Sequence, residues 1–179
     1  RPPERQAYPL PPVSLLNPIP HGSADHGNIE ETCEVLVETL RQFNVPVEVI
    51  GTTPGPVVTQ YELRPAPNIK VERIASLTAN LQMALEANSL RVQAPIPGKN
   101  AVGIEVPNRR ALPVTFREVI EGGDWKKCRY EVPLVLGKDV AGNDLIYDLT
   151  KAPHLLVAGA TGAGKSVCLN AILNGFLMS

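Results

Sequence analysis

The chain has 179 residues, room for one large or two small domains, and 44% of them are hydrophobic, enough for a sizeable core. A net charge of −1 gives no global basic field for nucleic acid, and 4% aromatics offer no stacking platform for single strands. Cys33, Cys128 and Cys168 lie too far apart for a metal spacing or a disulfide framework. They read as small buried hydrophobes in a reducing cytosol. No apolar run approaches the ~18 residues of a membrane span, and no signal peptide opens the chain. Its first residue is Arg1 rather than Met, which points to a piece of a longer protein.

Residues 1–26 form a separate regime. Pro2, Pro3, Pro9, Pro11, Pro12, Pro18 and Pro20 crowd it, and proline removes backbone donors and favours extended backbone. This is a linker or arm, with a proline-motif ligand as the alternative. Asn28 then caps a first helix, with Glu31 placed as its capping-box partner. Ile29, Cys33, Leu36, Leu40 and Phe43 make its apolar stripe, and Pro46 stops it. Val47–Ile50 and Val57–Leu63 read as a hairpin around the turn Gly51–Pro56, ended by Pro65 and Pro67. A second helix is expected from about Val71 to Ala87, with Ile74, Leu77, Leu81 and Leu85 inward. Leu90–Ala94 and Ala101–Val106 are strands flanking a proline-glycine turn. Helix, two strands, helix, two strands is a small α+β domain, placed at 27–132.

Glu121-Gly122-Gly123-Asp124 marks a break. Strands at Leu134–Asp139 and Leu145–Leu149, joined by a turn at Ala141-Gly142-Asn143, open a second domain at 133–179. His154–Ala158 is an apolar run that reads as a buried strand. Behind it comes Gly159-Ala160-Thr161-Gly162-Ala163-Gly164-Lys165-Ser166, which fits the Walker A or P-loop pattern G-x-x-x-x-G-K-[ST]. Val167, Leu169, Ile172, Leu173, Phe176 and Leu177 then recur at helical spacing. The chemistry explains the pattern. A triphosphate needs donors converging on it without side chains in the way. Gly159, Gly162 and Gly164 let the backbone take positive φ and approach closely, and the loop N–H groups with the following helix N-terminus form an anion nest. Lys165 reaches the β- and γ-phosphates of ATP, and the Ser166 hydroxyl ligates Mg²⁺. A glycine-rich strand-to-helix turn with a chance lysine is the bland alternative.

Further segments carry a family resemblance. Gly55-Pro56-Val57-Val58-Thr59-Gln60-Tyr61-Glu62-Leu63, Lys70–Ile74, Arg91–Lys99 and Val102–Asn108 resemble the α domain of the bacterial FtsK/SpoIIIE DNA translocases. Leu136–Asp139 through Pro153–Gly159 is similar to the family's entry into its motor domain. The resemblance covers nearly everything after the proline-rich arm. It implies an α/β chain: a small α+β domain followed by the start of a RecA-like P-loop NTPase domain, truncated after the P-loop helix. It further implies an ATP-driven motor on double-stranded DNA, working as a homo-hexameric ring in chromosome partition at cell division or sporulation. In the family, membrane helices precede a linker, so the parent is expected in the bacterial inner membrane and this segment in the cytoplasm. A C-terminal winged-helix module is common there too. Residues Gly159 to Ser166 carry over as the ATP-phosphate loop, with Ala163 at a free position where the family often has Ser.

Hydrolysis also needs a Walker B acid and a group that orients water. No Asp or Glu follows Ser166, so the segment alone is expected to be inactive and to hold ATP weakly. Between Lys99 and Lys138 there are eight Lys/Arg against five Asp/Glu, most of the excess at Arg109-Arg110 and Lys126-Lys127-Cys128-Arg129. This is either a phosphate-contacting stripe, a solvated surface or a subunit contact. His21, His26 and His154 show no metal spacing, and His154 reads as a strand-end residue. A ring-forming structural module and a related coupling ATPase stand as competing functions.

Overall fold

The computed structural model describes residues 9–152 and 154–179. Pro2 and Pro3 of the expected arm lie outside them. The chain divides into two compact units. One comprises His21–Pro113 and Val140–Gly142, and the other the described residues up to Pro20, Val114–Asp139 and Asn143–Ser179.

The first of these units begins with helix α1, Ile29–Gln42. Asn28 caps it, its side-chain oxygen accepting from the Glu31 N–H at 3.2 Å. The far end is a Schellman turn. Asn44 takes φ 57° in place of glycine, and its N–H bonds to Arg41 O. The Val45 N–H reaches back to Leu40 O at 2.9 Å. Val45 is thereby buried beside Leu40, ahead of Pro46.

Strands β1 (Val47–Pro54) and β2 (Val58–Pro65) form the expected hairpin. Its first strand is longer than expected, because a bulge between Val49 and Gly51 leaves Ile50 without a partner and lets pairing resume to Pro54. Strand β3 (Arg91–Gln93) and β4 (Val102–Pro107) complete an antiparallel sheet of order β1-β2-β4-β3.

The expected single helix at 71–87 is two, α2 (Val71–Ser76) and α3 (Thr78–Ala84). The apolar period runs through both. The ladder breaks because Ser76 and Thr78 donate their hydroxyls to Arg73 O and Ala75 O at 2.7 Å each. That is the local side-chain competition that keeps Ser and Thr neutral-to-poor in helix interiors. All three helices cover one face of the sheet, where Leu36, Leu40, Ile74 and Leu81 meet Tyr61, Leu63, Val102 and Ile104.

The second unit holds a two-turn element that the sequence reading missed. Helix α4 (Phe116–Glu121) and the short α5 (Gly123–Lys127) precede the hairpin of β5 (Pro133–Lys138) and β6 (Asp144–Asp148). Thr115 caps α4 by accepting from the Glu118 N–H at 3.3 Å. Val119 and Ile120 pack with Val135, joined by Val13 and Leu16 from the proline-rich segment. Lys138 Nζ ties the elements together, 2.8 Å from Asp144 Oδ1 and 3.3 Å from Glu118 Oε1. Helix α6, Lys165–Leu177, packs on β5. Among the described residues, no helix is long and apolar enough to cross a membrane.

Ile104 lies directly opposite Tyr61 on one side and Val92 on the other, fully buried. Ile104→Ala is expected to lower the unfolding free energy by about 2–5 kcal/mol in urea denaturation. Met83→Ala, on the exposed side of α3, is expected to change it by less than about 0.5 kcal/mol.

Candidate phosphate-binding loop

A loop that must turn into a helix without side chains in its mouth requires backbone that only glycine adopts freely. Gly162 and Gly164 have φ of 82° and 90°, whereas Gly159, expected to share that conformation, does not take it, and a Cβ on Gly162 or Gly164 would meet open space. Strain, not crowding, therefore reserves these positions for glycine. Gly164 is the N-cap of α6, its carbonyl taking the Cys168 N–H at 2.9 Å. Lys165 and Ser166 stand in the first turn, where backbone N–H groups have no carbonyl four residues back. A Cβ on Gly159 would sit 3.0 Å from that of Ala163, so the two ends of the loop approach closely.

Gly159, Ala160, Thr161, Gly162, Ala163, Gly164, Lys165 and Ser166 thus form one continuous turn, and all but Lys165 are exposed. Lys165 folds back over it. Its ammonium donates to Gly159 O and, at 2.8 Å, to Ala160 O. The cation already occupies the concavity that its own loop encloses.

The run ahead of the loop differs from expectation. His154–Ala158 is not a strand. An extended run becomes a strand only by pairing, and among the described residues none pairs with it. Leu155 and Leu156 are 49% and 90% exposed, where a buried strand was expected. What positions this approach instead is the turn after β6. Asp148 is buried and caps the 3₁₀ turn Leu149–Lys151, accepting from the Thr150 N–H at 3.2 Å and the Thr150 hydroxyl at 2.8 Å. Burial works to raise the Asp148 pKa. The hydrogen bonds from Thr150 and Val132 and the nearby Lys151 charge outweigh it and hold the carboxyl below the usual 3.8.

A second polar centre went unread in the sequence. Asn108 is buried; its Oδ1 accepts from the Thr59 hydroxyl at 2.9 Å and lies 3.3 Å from His26 Nδ1, while its Nδ2 donates to Gly55 O at 2.9 Å. These residues lie 33 to 82 positions apart, so only pairing of β2 with β4 brings them together. The expected basic stretch also divides. Lys99, Arg117 and Lys138 are committed to Glu62, Glu121 and Glu118. Arg109 and Arg110 belong to the first-described unit, and Lys126, Lys127 and Arg129 to the other.

The FtsK alpha domain family matches residues 10–108, and the FtsK/SpoIIIE family matches residues 115–179. The DNA translocase FtsK of Caldanaerobacter subterraneus is 46% identical over 97% of this chain and 25% of that protein. The DNA translocase FtsK of Helicobacter pylori is 45% identical over 95% of this chain and 20% of that protein. The DNA translocase SftA of Bacillus subtilis is 43% identical over 97% of this chain and 18% of that protein. The chain therefore spans about a quarter or less of the length of the curated relatives it matches. The solved pCW3 conjugation coupling protein TcpA, in its monomer form with ATPgS, covers 80% of this chain and 41% of its own. Its 20% identity and TM-score of 0.35 are too low to bear on the fold.

The depressed Asp148 pKa carries a sign. The carboxylate's contribution to stability is fully present above the usual aspartate value and is lost as pH falls through its lower folded value. Asp148→Asn is expected to flatten the stability curve below about pH 4 and to leave its slope near neutrality unchanged. Thermal unfolding across pH 2–7 reads this out. An unchanged acid limb in the variant would assign the slope to other carboxylates.

Proposed function

Because the chain belongs to the FtsK/SpoIIIE family, we propose that the whole protein is an ATP-driven translocase of double-stranded DNA, serving chromosome segregation. In this reading it acts as a homo-hexameric ring, with its membrane anchor outside this segment. The observation that carries the proposal is the turn Gly159–Ser166 opening α6 within a chain whose two halves match the two family domains. Residues Gly159 to Ser166 are its ATP-phosphate site.

The donor set suits a magnesium-bound triphosphate. The loop supplies N–H groups at a helix N-terminus, and the positive-φ glycines at 162 and 164 add no side chain to it, so Lys165 is the group that folds over it. Lys165 exchanges the carbonyls of Gly159 and Ala160 for phosphate oxygens. Ser166, exposed in the first turn, would hold Mg²⁺ through its hydroxyl, an oxygen ligand of the kind this ion takes. When bound, the metal neutralises charge that develops on the phosphate oxygens. This chain's part is to position the phosphates, orient them along the axis of α6 and hold positive charge beside them.

The test is ATP hydrolysis by the full-length protein with and without long linear duplex DNA, beside Lys165→Ala. Duplex is expected to stimulate hydrolysis strongly. Loss of the lysine charge is expected to reduce the rate on the order of 100-fold or more. Hydrolysis indifferent to duplex would overturn the translocase and leave a ring-forming or coupling NTPase. Full activity in Lys165→Ala would overturn the assignment of the loop.

A further inference from the structure

In the hairpin unit, Gly175 sits inside α6, where glycine is a poor helix former. Its backbone does not take positive φ, and the helix runs on to Leu177, so neither a turn nor a cap calls for it. A glycine held in a helix interior usually has a packing reason. Here the packing is visible. Gly175 is buried, as is Ile172 one turn earlier. A Cβ on Gly175 would stand 3.4 Å from Val135 Cγ2, 3.5 Å from the Pro133 carbonyl oxygen and 3.7 Å from the Val135 N.

Two of those three atoms are backbone of β5, which cannot turn aside as the tip of a side chain can. Strand β5 is itself well fixed. It pairs with β6 along its length, Val135 shares a cluster with Val119 and Ile120 of α4, and Lys138 is clamped between Glu118 and Asp144. A methyl at position 175 would rest close to the best contact distance of about 3.5–4.0 Å. A larger group would meet β5 and push α6 away from it. Lys165 and Ser166 stand in the first turn of the same unbroken helix. Close-packed interiors pass such a displacement on and do not absorb it.

We propose that Gly175 is a positioning residue for the ATP-phosphate loop. Its bare Cα lets α6 seat on β5 at one spacing, and that seating fixes where Lys165 and Ser166 stand. The inference rests on the reading of Gly159–Ser166 as the nucleotide site and adds to it a residue beyond the loop, acting through α6.

The experiment uses the full-length protein and measures kcat and KM for ATP with duplex DNA present, beside thermal unfolding. Gly175→Ala is expected to keep both constants within about twofold and to unfold no earlier, because a methyl fits and alanine favours helix. Gly175→Val adds two further methyls against β5. It is expected to raise KM and to lower kcat/KM for ATP by about 10- to 100-fold, the loss that a misplacement of about 1 Å can cause. The split between the constants separates positioning from stability. Unfolded molecules lower kcat and leave KM where it is, whereas a displaced loop raises KM. Adding Val135→Ala to Gly175→Val removes the methyls that the new valine meets, and is expected to bring KM back to within about threefold of wild type. Wild-type constants in folded Gly175→Val would overturn the inference. So would a fall in kcat with KM unchanged, which makes position 175 a matter of stability alone. If Gly175→Val does not fold, Val135→Ile crowds the same contact from the β5 side, and there a raised KM supports the inference and an unchanged KM overturns it. Lys165→Ala keeps the two readings apart. Full activity in that variant removes the loop assignment and this inference with it, whereas its inactivity beside a wild-type Gly175→Val removes this inference alone.

Discussion

Strand β2 has a hydrogen-bonded neighbour on each edge and is covered on both faces, and the α+β unit is laid out around that condition. Tyr61 and Leu63 point into the apolar layer under the helices. Thr59, Gln60 and Glu62 are buried as well, and buried polar groups must be satisfied or they cost more than they contribute. Each solution shapes something nearby. Glu62 is met by Lys99 at 2.6 Å, which brings the segment between β3 and β4 over the sheet. Gly103 lies opposite Glu62 and carries no side chain, where Gln60 and Ile96 fill the space. Thr59 is met by Asn108, which in turn takes up the carbonyl of Gly55 and stands beside His26. One strand thereby fixes the entrance to α1, the hairpin turn and the end of β4.

The hairpin unit is organised by charge instead. Lys138 is largely buried between Glu118 and Asp144, so it holds α4 against the β5–β6 hairpin. Burial alone would lower the lysine pKa, but bonds and charge from Asp144 and Glu118 reverse that, and the ammonium stays protonated well above neutrality. A charged group in that position is costly to leave unpaired. Leu134 and Val135 are buried along β5, while Leu136, Leu145 and Tyr147 are 42–45% exposed. The clamp therefore supplies definition that a two-stranded sheet with a partly open face would otherwise lack.

How much of this the sequence disclosed depended on the range of the cause. Asn28, the Leu36 and Leu40 stripe, and Pro65 act within one or two turns of chain, and each is visible in order. The glycine-lysine turn was equally legible, because its spacing is dictated by local backbone geometry. The division at Leu77 was not. The apolar period through Ile74, Leu77, Leu81 and Leu85 is continuous, and it outweighed the hydroxyls of Ser76 and Thr78. Helix α4 did leave a signal in Thr115 and Glu118, the spacing of an N-cap and its third residue, but Gly122-Gly123 carries the stronger signal of a break. His154–Ala158 shows the opposite limit. Apolar composition states a preference for burial, whereas a strand needs a partner that composition cannot supply. The Thr59–Asn108–His26 cluster joins residues that only the folded chain brings together.

Helix α6 is held down at one end. Its buried residues, Ile172 and Gly175, lie in its second half, where Gly175 lets it approach Val135 and the Pro133 carbonyl. Met178, just past its end, packs on the same cluster. Val167 and Leu169, nearer the glycine turn, are 71% and 50% exposed. From Gly175 to Lys165 the helix extends about 15 Å. It is a lever with its fulcrum on β5 and its working tip at the ammonium. A tilt of about 5° there moves the tip by about 1.3 Å, on the order of half a hydrogen-bond length. The direction in which the loop opens is therefore set by whatever braces the exposed flank of α6, and side chains outside the turn Gly159–Ser166 hold that adjustment.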